Sequence, residues 1–220
     1  MTDTRRLRVY RFKRDGGPEH FDEFDVPVGP HTTILDALRW IQRHRDSSLM
    51  VRHSCMHASC GTCGVQVDGR EQLACVCDVA GLGDEITVEP LANLPVLADL
   101  VVDMGDFFGR FPEPHPIVRS VAEEQEYVRL EDCIECGLCM SACPIAASGR
   151  YVGPAALVAA QRLLEEPRGA ESGDVLAWAS QPGGAWQCHL GLACTSACPS
   201  DALPVERIMA LRRELIGGSR

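Results

Sequence analysis

Twelve cysteines fall in three groups along this chain, and their spacing carries the chemistry. Cys133, Cys136, Cys139 and Cys143 stand at C-x2-C-x2-C-x3-C, with Pro144 directly behind. Neighbours this close rarely pair as disulfides, because the bridge demands a restricted geometry. They are well placed to converge on one metal centre. In a two-cluster iron–sulfur arrangement, three such thiolates clasp three corners of a cubane cluster. The fourth projects past the proline towards a second cluster.

The second cluster needs a group of its own, and Cys188-x5-Cys194-x3-Cys198-Pro199 supplies it. A full copy of the bacterial-ferredoxin run would carry another cysteine where Gly191 stands. Exchange of the fourth thiolate assigns Cys133, Cys136, Cys139 and Cys198 to a 4Fe-4S cluster. Cys143, Cys188 and Cys194 then hold a centre with only three thiolates. Such a cube can lose one iron and become 3Fe-4S, a change of charge that usually raises the potential. A 4Fe-4S cluster with a labile or non-cysteine fourth ligand is the other reading. His189 is the nearest alternative donor, yet it adjoins Cys188 and is poorly placed for that corner.

The remaining group lies earlier. Cys55, Cys60 and Cys63 have the spacing C-x4-C-x2-C, and Cys75 follows twelve residues on. This is the plant-type 2Fe-2S pattern, in which a loop supplies three thiolates and a nearby strand end the fourth. Gly61 and Gly64 leave room for the backbone to approach and for N–H groups to point at sulfur. A zinc site of four cysteines is the competing reading, but zinc loops usually pair two closely spaced knuckles, which this run lacks. Cys77 would share a strand face with Cys75. It reads either as a stand-in ligand or as a small buried thiol.

Two units must position these groups, and 220 residues are enough for two. Over 1–105, Arg6–Lys13 and Phe21–Val28 read as strands joined by a turn at Asp15-Gly16-Gly17-Pro18. Thr32 and Thr33 can cap a helix that buries Ile34, Leu35, Leu38 and Ile41. Asp68-Gly69 predicts a type I′ hairpin turn, and Glu85–Glu89 a closing strand. Residues 106–126, with Pro112, Pro114 and Pro116, read as a linker. From 127 to 220 the pattern is mostly helical. Pro154 starts a helix that Pro167 stops, a short helix lies around Val175–Ala179, and Pro204 starts another that ends at Gly217-Gly218. The two Cys-Pro pairs mark a weak internal repeat.

Composition narrows the functional classes. Hydrophobic residues make up 45% and charged residues 24%, as in ordinary globular proteins. A net charge of −10 repels phosphate backbones, which argues against a nucleic-acid partner. No apolar run approaches the roughly 18–20 residues of a membrane-spanning helix. The opening MTDTRRLRVYRF lacks the apolar core of an export signal. The expectation is a cytoplasmic chain that, if it works at a membrane, is anchored there by other subunits. No Ser-His-Asp constellation, phosphate loop or dinucleotide fingerprint is present, so the bond-making site lies elsewhere. Clusters pass one electron at a time, and three in series make a wire.

With these motifs in place, the sequence resembles the iron–sulfur subunit of the succinate dehydrogenase / fumarate reductase (complex II) family, nearer its fumarate-reductase side. The resemblance rests on Ser54-Cys55 through Cys63-Gly64, Leu73-Ala74-Cys75, Glu89-Pro90-Leu91-Ala92-Asn93, Asp99 through Met104, and Val152-Gly153-Pro154-Ala155-Ala156. It implies an oxidoreductase subunit carrying 2Fe-2S, 4Fe-4S and 3Fe-4S clusters. The partners it implies are a flavoprotein with covalent FAD and a membrane anchor that binds quinone. The chain would then sit peripherally on the cytoplasmic face of the cell membrane. Fold class is α+β: an N-terminal β-grasp plant-type ferredoxin domain, and a C-terminal, mostly helical bacterial-ferredoxin-type domain. Met56 departs from the family's usual Arg, and Ile145-Ala146-Ala147-Ser148 lacks the tryptophan common at the quinone pocket. His189 follows Cys188 as a histidine near the quinone site does in many relatives; an ordinary solvated histidine is the plainer reading. Two other functions compete: a subunit of a related flavoprotein oxidoreductase with a soluble or thiol acceptor, and an iron–sulfur sensor or scaffold.

Overall fold

The computed structural model describes residues 3–14, 16–112, 133–165 and 172–217. Asp15 of the expected first turn, residues 113–126 of the expected linker, Pro167 and Gly218 lie outside the described residues. The strands are β1 (Asp3–Arg11), β2 (His20–Val28), β3 (Gly64–Val67), β4 (Arg70–Leu73), β5 (Glu85–Glu89), β6 (Val96–Ala98) and β7 (Val101–Val102). The helices are α1 (Ile34–His44), α2 (Gly105–Phe108), α3 (Leu138–Ser141), α4 (Pro154–Glu165), α5 (Ser172–Ser180), α6 (Ala193–Ser196) and α7 (Pro204–Gly217). They divide into two units: Met1–Met104 with Ile134–Ser141, and Gly105–Cys133 with Ala142–Arg220.

In the first unit, five strands form one sheet in the order β2-β1-β5-β3-β4. β1 runs antiparallel to β2 and parallel to β5. Leu7 and Val9 alternate with outward residues on β1, and they are fully buried with Ile86 and Val88 of β5. α1 begins as the sequence predicts. Thr33 Oγ1 accepts from Asp36 N–H at 3.1 Å while Asp36 accepts from Thr33 N–H at 3.2 Å, a reciprocal capping box. The four expected apolar residues, Ile34, Leu35, Leu38 and Ile41, are buried. Asp68 (φ 49°) and Gly69 (φ 72°) make the expected left-handed turn between β3 and β4. This mixed sheet with its one long helix is the expected β-grasp arrangement.

Arg11 continues the inward face of β1 and is only 5% exposed. A buried cation is tolerable only when paired. Asp99 (3.2 Å), Asp22 (2.8 Å) and Asp46 (2.6 Å) surround it, and Asp99 also accepts from the N–H groups of Phe12 and Met50. Ile134–Ser141 joins this unit through hydrogen bonds as well as packing. The Ser141 hydroxyl donates to Glu71 at 3.0 Å and accepts from Ala92 N–H at 2.8 Å. The Asn93 amide donates to the carbonyls of Met140 and Ser141, both at 3.0 Å. Leu138 and Met140 are buried alongside.

The second unit is helical. α4, α5 and α7 pack on one another. α4 buries Ala155, Ala156, Leu157, Val158 and Ala160, and the three alanines let its neighbours come close. α7 buries Val205, Ile208 and Leu211. Both α4 and α7 begin on a proline, where the missing N–H leaves no bond unmade. The Cys-Pro repeat is visible in local structure: a four-residue helix, α3 or α6, precedes Cys143-Pro144 and Cys198-Pro199 respectively. Among the described residues no helix is long and apolar enough to cross a membrane.

Candidate metal centres

The β3–β4 register assembles the first cysteine group. Gly64 pairs with Leu73, so Cys63 and Cys75 leave the same end of the hairpin, and Ala74 N–H donates to the Cys63 carbonyl at 3.0 Å. The preceding loop brings in the other two thiols. Ser59 and Cys60 N–H both reach Cys55 Sγ at 3.3 Å, and Ala58 N–H reaches Cys75 Sγ at 3.3 Å. Met56, Ala58 and Gly61 adopt left-handed backbone (φ 61°, 62° and 69°). Such turns aim successive N–H groups inward and form an anion-binding concavity. Gly61 has a second reason to be glycine: a Cβ there would stand 2.7 Å from Cys136 Cβ.

Charge in this loop is uneven. Hydrogen bonding, from the Thr62 side chain foremost, lowers the exposed Cys60 thiol to about 6. Burial raises the Cys63 thiol to about 12. Burial also lowers the pKa of Arg52, against the pull of Cys63, and its buried Nε and Nη2 have no hydrogen-bond partner. A cation here favours thiolates and whatever anionic group they hold. Cys77 is set apart from this arrangement. It is 6% exposed, its thiol is raised to about 11 by burial and then by Asp68 and Asp78, and its carbonyl caps Ile34 N–H.

Of the second set of cysteines, Cys136 and Cys139 lie in the first unit and are buried; Cys133 and Cys198 lie in the second and are half-buried. Cys198 Sγ accepts from Ala202 N–H at 3.4 Å.

Cys143, Cys188 and Cys194 line one cavity of about 460 Å³ within the second unit, together with Tyr151, His189 and Gly191. Arg212 of α7 fixes the approach to Cys188 by donating to the carbonyls of Ala185 and Cys188, both at 2.6 Å. Thr195 Oγ1 accepts from Val205 N–H at 3.2 Å and ties α6 to the start of α7. Leu190 and Leu192 are left-handed (φ 60° each), and Leu190 N–H points at Cys188 Sγ at 3.4 Å. A Cβ at Gly191, between them, would meet nothing within 4 Å. His189 is exposed at the rim. Cys194 is buried, which raises its thiol to about 11.

These surroundings fit iron–sulfur clusters. Thiols rather than half-disulfides occupy positions 55, 60, 63, 75, 188 and 194. N–H groups aimed at sulfur are what a cluster's anionic ligands require. Among the described residues no three Cys, His, Asp or Glu side chains stand close enough for a single metal ion. A cluster spreads its ligands wider than one ion does. Arg52, Thr62, Tyr151 and Arg212 escaped the sequence reading. Only tertiary proximity marks them, although Tyr151 sits directly before the Val152-Gly153-Pro154 stretch.

The fold and these sites define a two-unit iron–sulfur protein of the electron-carrying class. Residues 6–109 match the family described as a 2Fe-2S iron-sulfur cluster binding domain, and residues 129–202 the 4Fe-4S dicluster domain. The chain is 36% identical to the fumarate reductase iron-sulfur subunit of Mycobacterium tuberculosis, over 90% of this chain and 87% of the relative. The Escherichia coli fumarate reductase iron-sulfur subunit is 31% identical, over 94% and 92%. The Paracoccus denitrificans succinate dehydrogenase iron-sulfur subunit is 29% identical, over 98% and 89%. In fold it is similar to a chain of the Mycobacterium smegmatis Sdh1 complex in the apo form, with a TM-score of 0.86 and 23% identity over 100% of this chain and 98% of that one. The chain belongs to the family of succinate dehydrogenase and fumarate reductase iron–sulfur subunits.

Proposed function

We propose that this chain carries electrons between an FAD-bearing flavoprotein and quinone at a membrane anchor, as the iron–sulfur subunit of a succinate dehydrogenase or fumarate reductase. The observation that carries this reading is the cavity where Cys143, Cys188 and Cys194 meet an open Gly191. Three thiols and an empty fourth position are the donor set of a 3Fe-4S cluster. Cys55, Cys60, Cys63 and Cys75 would hold the 2Fe-2S cluster, and Cys133, Cys136, Cys139 and Cys198 the 4Fe-4S cluster. When bound, these clusters supply one-electron storage. The chain's own residues do the rest. Amides of residues 58–60 offset negative charge on sulfur, Arg212 fixes the Cys188 loop, and buried aliphatic side chains exclude water.

Apolar side chains left in solvent support docking partners. Trp186, Leu190 and Leu192 are 52%, 38% and 57% exposed on the second unit, flanking or near the cavity. Met56 and Val76 are 43% and 54% exposed on the first. Such clusters mark interfaces. In this reading the second unit meets the anchor, His189 neighbours the quinone, and the chain lies peripherally on the cytoplasmic face through other subunits.

The test is low-temperature EPR of the anaerobically purified complex. The oxidised protein is expected to show a three-iron signal, and succinate or stepwise reduction to reveal the other two centres. Zinc in place of iron, or markedly fewer than about nine irons per chain, would overturn the assignment.

A further inference from the structure

Tyr151 brings its hydroxyl to the cavity that Cys143, Cys188 and Cys194 line. The side chain is 1% exposed, and its buried Oη makes no well-formed hydrogen bond but faces the Cys188 thiol. A buried O–H is tolerated only with a partner, and here the partner on offer is sulfur. Its backbone is fixed on both sides. Arg110 Nη1 donates to the Tyr151 carbonyl at 3.0 Å, and Val152 N–H donates to the Gly183 carbonyl at 3.0 Å. Gly183 lies so close to Arg150 that a Cβ would stand 1.9 Å from the Arg150 carbonyl oxygen. The ring is therefore held at the cavity wall.

We propose that Tyr151 donates a hydrogen bond to a sulfur of the cluster held by Cys143, Cys188 and Cys194, and so raises that cluster's reduction potential. The inference rests on the ligand assignment given under Proposed function. A donor at sulfur stabilises the reduced, more negative state. The O–H can be given to sulfur from the cavity wall, where the phenol faces the Cys188 thiol. Tyr151 is a positioning and tuning residue; the redox chemistry belongs to the cluster.

The test is Tyr151→Phe in the assembled complex, which keeps the ring and removes only the O–H. Redox titration of the three-iron EPR signal is expected to show the reduction equilibrium falling about tenfold, a midpoint about 59 mV lower for one electron. The 2Fe-2S midpoint stays where it was. Electron–nuclear double resonance of wild-type complex, with its cluster reassembled in deuterium oxide, should show an exchangeable deuteron coupled to the three-iron signal beyond that of the Leu190 amide, and the variant should lose that additional coupling. An unshifted midpoint with the additional coupling retained in the variant overturns the proposal. So does a wild-type complex without that coupling, whatever the variant's folding or cluster content. A wild type with no three-iron signal defeats the ligand assignment instead, so the two failures are separable.

Discussion

Three backbone amides, those of Ala58, Ser59 and Cys60, reach cysteine sulfur in the loop of the first unit. At the cavity of the second unit the Leu190 amide reaches Cys188 Sγ, and a phenol and an exposed imidazole, those of Tyr151 and His189, are part of the lining. The first arrangement is built on left-handed turns, with the Thr62 side chain and the Arg52 cation beside the thiols. The second adds to its amides side chains that can be exchanged one at a time. Glycine makes the same contrast. Gly61 is required because there is no room for a Cβ, whereas Gly191 lies in open space, where the proposed three-thiol set would lack its fourth donor. One residue type thus reports close packing in one region and open space in the other.

The largest expected effect comes from Gly191→Cys. A thiol placed at the open wall should convert the three-iron centre to a 4Fe-4S cluster and lower its potential, because the added thiolate brings negative charge. An unchanged three-iron EPR signal from fully loaded protein would show that residue 191 is not the vacant corner. Next comes Gly61→Ala, which combines a φ of 69° with a Cβ 2.7 Å from Cys136 Cβ. It should destabilise the protein by roughly 3 kcal/mol, seen as a lower denaturation midpoint. Gly191→Ala should leave the midpoint nearly unchanged, and equal losses for the two alanines would dissolve the contrast.

The smallest effect concerns acid and belongs to the first unit. Hydrogen bonds from Ser48 and Arg11 hold the Asp46 carboxyl at about 2, below its ordinary value of 3.8. A depressed carboxylate contributes stability that is fully present above its unfolded pKa and is lost as pH falls through its folded pKa. The advantage of wild type over Asp46→Asn in urea denaturation should therefore be constant above about pH 5 and narrow between about pH 4 and 2. Its size is on the order of 1 kcal/mol, because Asp46 is partly exposed. A gap that widens on acidification would contradict the pairing.

Local signals made much of this architecture legible. The Asp68-Gly69 turn, the Thr33 cap and the prolines that open α4 and α7 act over a few residues, and each appears where the sequence puts it. The cysteine spacing works for the same reason: one loop can only wrap a small object. What stayed hidden depends on distant partners. Arg11 on an inward strand position makes sense only beside Asp99, 88 residues away. β6 and β7 are too short to show alternation. Tyr151 and Arg212 carry no periodic mark, since their significance arises from carbonyls and thiols that the fold brings to them.

Ser141 and Asn93 have a consequence for anyone who would cut and splice this polypeptide. They fasten residues 134–141 to the sheet, where Leu138 shares with Leu91 the space around Gly64. A chimera that donates only residues 1–105 to another carrier would strip that covering away and leave Leu91 and Ala92 facing water. The transferable module is discontinuous, and an exchange that respects it must carry the octapeptide along.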